Sequence, residues 1–200
     1  MIILVRHGEA EKAEGRAIGQ TDLPLSENGR KQATLLAEYL SNVPFEHLYT
    51  SPLLRTRETA AKIEKTCTPK AVLCPEFAEI NLGDWDGISF KQIKNEFPNE
   101  YIKRGQDLAN YRPPNGESFT DLKKRVQSGL KKIIDLDSPV VIVTHAGVIR
   151  IMLHIALEFP LNNIFKISPL HCNITVLKIN PAGLTLENFN IPPDRTPRPA

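Results

Sequence analysis

The chain has 200 residues, 41% of them hydrophobic and 24% charged, with a formal net charge of +2. Such a composition buries an ordinary core, which excludes a disordered chain, and the length suits one domain with at most a small cap. The near-neutral balance and the lack of a basic stripe with interleaved aromatics give no reason to expect a nucleic-acid partner.

Three cysteines, Cys67, Cys74 and Cys172, form no C-x-x-C pair. An odd count without that spacing indicates neither a disulfide framework nor a zinc site, so they are expected to be small buried hydrophobes in a reducing compartment. The N-terminal apolar run stops at Arg6, too soon for a signal peptide, and no stretch reaches the length of a membrane span. The expectation is a cytoplasmic protein with no membrane partner.

Taken in order, Met1 to Val5 is an unbroken apolar run, the mark of a strand buried on both faces. It ends in Arg6-His7-Gly8-Glu9, at the carboxyl edge where α/β sheets hold their ligands. Gly8 would there let backbone approach a ligand closely. A polar loop from Glu9 to Thr21 comes next. Ser26 is the expected N-cap of a helix to Ser41, with Ala33, Leu36, Ala37 and Leu40 on one face. Phe45 to Ser51 reads as a strand. Ser51 and Pro52 fit the N-cap and first position of a helix with Arg55 and Arg57 in its first turns and Ala60, Ala61 and Ile63 inward. Free N–H groups at that helix start would attract an anion, and Arg55 would add a planar two-point donor.

Ala71 to Cys74 is a third expected strand, closed by Pro75. The loop from Glu76 to Gly87 carries Glu76, Glu79, Asp84 and Asp86. Phe90, Ile93 and Phe97 mark a short helix ending before Pro98, and residues 98–117 show little periodicity, as a cap-like insertion would. Ser118 and Asp121 form a capping box for a helix with Phe119, Leu122, Val126, Ile133 and Ile134 inward. Val140 to Val143 is a second fully apolar strand and ends in Thr144-His145-Ala146-Gly147. The helix from Gly147 to Phe159 carries Arg150, His154 and Glu158 as one polar stripe, read as a solvated face. Ile174–Ile179 and Leu184–Phe189 flank Asn180-Pro181-Ala182-Gly183 as a hairpin. A proline-rich tail, 191–200, is expected to be disordered or to lie on the surface. Together these give a three-layer α/β/α sandwich around a largely parallel sheet of about six strands, with residues 1–190 as one domain.

Two apolar strands, each ending in a histidine close to a glycine, would present both imidazoles at one edge if the strands are parallel neighbours. Arg6 and Arg55 beside them make a pocket for a compact multiply charged anion, phosphate above all. No metal is expected, because H-x-H and H-E-x-x-H are absent and Arg6 would repel a divalent cation. P-loop, G-x-G-x-x-G and G-x-S-x-G motifs are also absent, and no cofactor is expected. That leaves histidine as a nucleophile: neutral imidazole can attack phosphorus, the arginines lowering its pKa and holding the phosphoryl oxygens. An acid from the Glu76, Glu79, Asp84 and Asp86 group would protonate the leaving alkoxide. The pattern leaves those four open.

The motifs R-H-G-E at Arg6, G-Q-T-D-L-P-L-S-E-N-G at Gly19, S-P-L-L-R-T-R-E-T-A at Ser51, E-I-N-L-G-D-W-D-G at Glu79, P-P-N-G-E-S at Pro113 and T-H-A-G at Thr144 resemble the histidine phosphatase, or phosphoglycerate mutase-like, superfamily. They look most like the small bacterial branch that contains α-ribazole-5′-phosphate phosphatase. The resemblance implies a phosphoglycerate mutase-like fold. It implies His7 as the phosphorylated nucleophile, Arg6, Arg55 and His145 as the phosphate pocket, Glu79 as the proton donor, and Gln20, Thr21 and Ala146 lining the site. It also implies a small phosphorylated metabolite as partner, without metal or cofactor. Ala10 and Ala13 depart from the family's T-x-x-N after R-H-G-E, so a phosphate contact is lost or replaced. Glu79-Ile80-Asn81-Leu82-Gly83 departs from the glycolytic mutases' E-R-H-Y-G, favouring a phosphatase over mutase-type phosphoryl transfer. A non-catalytic phospho-ligand binder would lack His7 or Glu79. Monomer and homodimer both remain open.

Overall fold

The structure, a computed structural model, describes residues 1–194. Six strands form one sheet in the order β3-β2-β4-β1-β5-β6. The parallel part comprises β1 (Ile2–Arg6), β2 (His47–Thr50), β3 (Ala71–Leu73) and β4 (Val140–Thr144). β5 (Ile174–Asn180) runs antiparallel beside β1, and β6 (Gly183–Ile191) completes the terminal hairpin. Thus Ile191, expected in the tail, ends a strand; residues 195–200 of that tail lie outside the described residues.

Alternation along β1 and β4 splits the core in two. Ile2, Leu4, Val140 and Ile142 face α5 (Phe119–Lys131) and α6 (Ala146–Leu157). Ile3, Val5, Val141 and Val143 face α1 (Glu27–Leu40) and α2 (Leu54–Thr66). Strands apolar at every position need cover on both faces, and the helices supply it, giving the expected three layers. β1 and β4 pair in parallel with Arg6 opposite Thr144, so His7 and His145 leave the sheet side by side.

The capping box of Ser118 and Asp121 and the Ser26 N-cap form as expected. The start of α2 does not. Its N-cap is Leu53, without a side-chain hydrogen bond, and the Leu54 N–H donates to Asp22 at 2.5 Å. Ser51 is engaged elsewhere: its hydroxyl meets His145 and its carbonyl accepts from Thr56. On α2 the buried face is Arg55, Thr56, Thr59, Ala60 and Ile63, leaving Ala61 exposed. Ala61 comes after Ala60 by about 100°, which carries it off a face centred on Thr59 and Ile63.

Residues 98–117 hold a helix that periodicity missed. α3 (Phe90–Glu96) ends before Pro98 as expected, but Pro98 also opens α4 (Pro98–Gln106) at its first turn. Proline is favoured there because the first N–H groups of a helix lack partners anyway. No residue of α4 is fully buried, so it shows no strong apolar repeat. A separate small cluster of Ala17, Trp85 and Ile93, joined by Phe97, Tyr101 and Tyr111, holds this region together.

Candidate active site

A cavity of about 610 Å³ opens at the carboxyl edge of β1, with Arg6, His7, Arg55, Glu79 and His171 among its lining residues. The loop after β1 is pinned from several sides. The His7 N–H donates to Thr144 at 2.9 Å and the Gly8 N–H to Thr59 Oγ1 at 3.1 Å. Gly8 serves this packing rather than approach to a ligand: a Cβ there would sit 2.5 Å from the Gly29 carbonyl oxygen. Ala10 bridges to Leu25, while Ala13 presents only a methyl to the cavity.

Hydrogen bonds fix the His7 tautomer. Nδ1 lies 2.6 Å from the Gly8 carbonyl, which can only accept, so Nδ1 carries the proton. Nε2 keeps its lone pair, which accepts from Arg55 Nε at 3.2 Å. Burial holds the imidazole well below its ordinary pKa, and the Arg55 and Arg6 charges push it further down. His7 is therefore a neutral base whose unprotonated nitrogen is held by Arg55.

Arg55 is 1% exposed, and its Nη1 and Nη2 each donate once, to Thr21 O at 2.9 Å and Gly19 O at 2.7 Å. Arg6 donates to Pro169 O at 2.8 Å, and burial lowers its pKa to about 10. Arg57 is exposed and turned away. The α2 N-terminus, expected to draw an anion, already holds the Asp22 carboxylate.

The four acids of the loop separate by their partners. Glu76 pairs with Lys132 at 2.5 Å, which lowers its pKa to about 2. Asp84 accepts from Asn115. Asp86 accepts from the Gly19, Gln20 and Thr21 N–H groups and the Thr21 hydroxyl. Glu79 alone of the four lines the cavity. Its Oε2 accepts from Gly147 N at 3.1 Å, at the N-terminus of α6. A Cβ on Gly147 would lie 2.1 Å from Glu79 Oε1, so only glycine admits the carboxylate there. Arg125 braces the backbone beneath, donating to the carbonyls of Glu76, Ala78 and Glu79 while paired with Glu117.

Gln20 and Thr21 face inward as wiring. Gln20 Nε2 donates to Glu79 O at 2.9 Å, and Thr21 joins Asp86 to Arg55. Ala146 lines a second compartment of about 290 Å³ that shares Arg6, Ala13, Ile18 and Glu79 with the first. His145 is fully buried, its Nε2 2.7 Å from Ser51 Oγ and its Nδ1 without a partner among the described residues. Its ring stands 5.1 Å from that of His7.

Three residues at the site escaped the sequence reading. Arg150, assigned to a solvated stripe, lines the second compartment, stacks 4.9 Å from the Phe165 ring and donates to Ile167 O. Glu158 is not on that stripe but in the left-handed cap of α6, and His154 ties the helix end to Phe159 O. A lone arginine in the first turns of an otherwise apolar helix was the available signal. Arg104 of α4 stands 5.4 Å from the same Phe165 ring, and no sequence signal singled it out. His171 lies just before β5, with its ring 5.3 Å from His7. Its position results from β5 being antiparallel: Ile174 pairs with Val5, so the start of β5 lies at the edge where β1 ends.

A model of the histidine phosphatase superfamily (branch 1) matches residues 2–192. The chain is 34% identical over 181 residues to 6-phosphofructo-2-kinase/fructose-2,6-bisphosphatase of Arabidopsis thaliana, spanning 88% of this chain but 24% of that protein. It is 32% identical to phosphoserine phosphatase 1 of Hydrogenobacter thermophilus, covering 76% of this chain and 73% of that one. Among solved structures, the α-ribazole phosphatase of Shigella flexneri superposes with a TM-score of 0.87 at 25% identity, covering 94% and 95% of the two chains. The match over nearly the whole chain decides its family: it belongs to the histidine phosphatase superfamily, branch 1.

Proposed function

We propose that the protein is a phosphomonoesterase that hydrolyses a small phosphorylated metabolite through a phosphohistidine at His7. The observation that carries this is the unprotonated, buried Nε2 of His7, hydrogen-bonded to Arg55 in a cavity that Arg6 and the Glu79 carboxyl group also line. In the first step Nε2 bonds to phosphorus, the ester P–O bond breaks, and the leaving alkoxide takes a proton from Glu79. Arg6, Arg55 and His145 stabilise the phosphoryl oxygens. In the second step water attacks the phosphohistidine, Glu79 takes its proton, and inorganic phosphate leaves with His7 neutral again. The width and charged rim of the main cavity, where Glu9, Glu11, Lys12 and Glu14 stand, favour water over a returning substrate, hence hydrolysis over mutase-type transfer.

Leaving-group dependence tests the role of Glu79. An alkyl phosphate departs as a basic alkoxide and needs the proton, whereas p-nitrophenolate is stable without it. Glu79→Gln is expected to slow single-turnover phosphorylation by the alkyl ester far more than by p-nitrophenyl phosphate. An unchanged ratio of the two rates would remove Glu79 as the acid.

The second compartment bears on the substrate. Arg104 and Arg150 stand there in contact with Phe165, and neither forms a salt bridge among the described residues. Two cations outside any salt bridge, with the Glu79 carboxyl group lining the same compartment, favour an ester whose leaving part bears a further anionic group, as phosphoserine does. α-Ribazole-5′-phosphate, the ester named for a structural neighbour, has no second anion and would rely on the aromatic lining instead. In a turnover comparison, kcat/KM for phosphoserine or 3-phosphoglycerate should exceed that for α-ribazole phosphate. The reverse order would assign the compartment to an aromatic leaving group.

A further inference from the structure

His171 is a cavity-lining imidazole that the chemistry above does not use. Its ring is 5.3 Å from His7, almost as close as the 5.1 Å of His145, and on another element. His171 lines the main cavity and His145 does not. Its placement is enforced. Cys172 next to it holds a left-handed φ of 55° and donates its N–H to Arg6 O at 2.9 Å. A non-glycine residue keeps such a conformation only where its surroundings over-determine it.

One hydrogen bond sets the orientation. Nδ1 of His171 lies 2.9 Å from the His7 carbonyl, an acceptor only, so Nδ1 carries the proton and Nε2 is bare. We infer that His171 is a further phosphate-binding residue, which takes up a proton on Nε2 when a dianion enters and then donates to it. It thereby supplies a donor to a cavity in which Ala13 offers none. This rests on the phosphate-pocket reading above.

The charges facing His171 are Arg6 from β1, Arg55 from α2 and Glu9 from the loop after β1, with His7 beside it. Burial and the arginines hold the empty-site pKa at about 4, against the opposing pull of the His7 carbonyl and Glu9. A dianion between the arginines cancels their charge and reverses the sign of the local field, which favours imidazolium. Binding and protonation are then linked: affinity should fall as pH rises from about 4 towards the raised pKa of the complex, and level off above it.

Sulfate is a suitable probe, because it stays a dianion throughout the neutral range. Titration calorimetry in buffers of different ionisation enthalpy counts the protons taken up per sulfate bound. His171→Asn keeps an amide N–H close to the position of Nδ1, and so the bond to His7, but removes the cavity-facing nitrogen. His171→Gln puts a donor that cannot titrate in the cavity. Relative to wild type, His171→Asn should take up fewer protons and bind sulfate roughly tenfold to hundredfold more weakly, the range for a hydrogen bond to a charged group. His171→Gln should lose the same uptake but less affinity. His7 and His145 remain in both variants, so the difference isolates His171. Unchanged proton uptake in both variants would overturn the inference whatever their affinity. Wild-type sulfate binding that substrate does not displace would overturn the phosphate-pocket reading and this inference with it.

Discussion

His7 and His145 leave neighbouring parallel strands directly after the paired residues Arg6 and Thr144, each with a glycine within two positions. They end in different situations. His7 lines the cavity, its proton held on Nδ1 by Gly8 O and its unprotonated Nε2 accepting from Arg55 Nε. His145 is fully buried, its Nε2 bound to Ser51 and its Nδ1 unpartnered among the described residues. Burial and the same two arginines lower both pKa values, so charge does not distinguish them. What separates the proposed nucleophile from the proposed supporting group is the hydrogen-bond partner that chooses which nitrogen carries the proton.

Removing the two imidazoles in turn is the sharpest way to break that comparison. His7→Ala should lower kcat by about 10⁴-fold or more, the scale of a lost nucleophile, with a small change in melting temperature because the side chain borders a cavity that water can enter. Single-turnover assays should also trap no acid-labile phosphate on that variant. If His145→Ala lost the trapped phosphate while His7→Ala retained it, the two roles would be exchanged.

Arg55 touches the proposed nucleophile directly, and its replacement should have the next largest effect. Arg55→Lys keeps the charge but cannot reach His7, Thr21 and Gly19 together. Loss of a preorganised donor of this kind costs about 10²–10³ in kcat. The freed carbonyls of Thr21 and Gly19 should also lower the melting temperature, which a purely catalytic role would not. A variant with wild-type turnover would show that the Arg55 fork is not part of the reaction.

The smallest expected effect concerns the glycine after the second histidine strand. Gly147→Ala would put a methyl 2.1 Å from Glu79 Oε1, forcing the carboxyl aside while leaving the His7 side untouched. Displacement of a catalytic group by about 1 Å costs about 10²-fold in rate. The loss should fall on alkyl phosphates and spare p-nitrophenyl phosphate, as for Glu79→Gln. Equal losses on both substrates would mean that Gly147 supports the His145 edge instead.

Most of this site was legible from strand ends. Apolar runs locate β1 and β4, and the residues directly after a central strand must emerge at the sheet edge, so Arg6, His7 and His145 could be found without coordinates. Glu79 could not be separated from Glu76, Asp84 and Asp86 by pattern, because each acid's partner lies far along the chain: Lys132, Asn115, and the amides from Gly19 to Thr21. The Ser51 N-cap failed for the same reason. A local rule assigned its hydroxyl to the helix, whereas His145 claims it from another strand.

The sequence by itself determined the two buried strands, the layers they require and the histidine–arginine edge. Those depend on periodicity and on the direction of a strand, both written locally. Only the tertiary structure decided which imidazole nitrogen is bare, which acid faces the cavity, and that Arg104, Arg150 and His171 join the site. His171 arrives there because β5 runs antiparallel to β1, so that a strand's beginning meets another's end. Strand direction in the finished sheet is a property of pairing between distant segments, and no single segment records it.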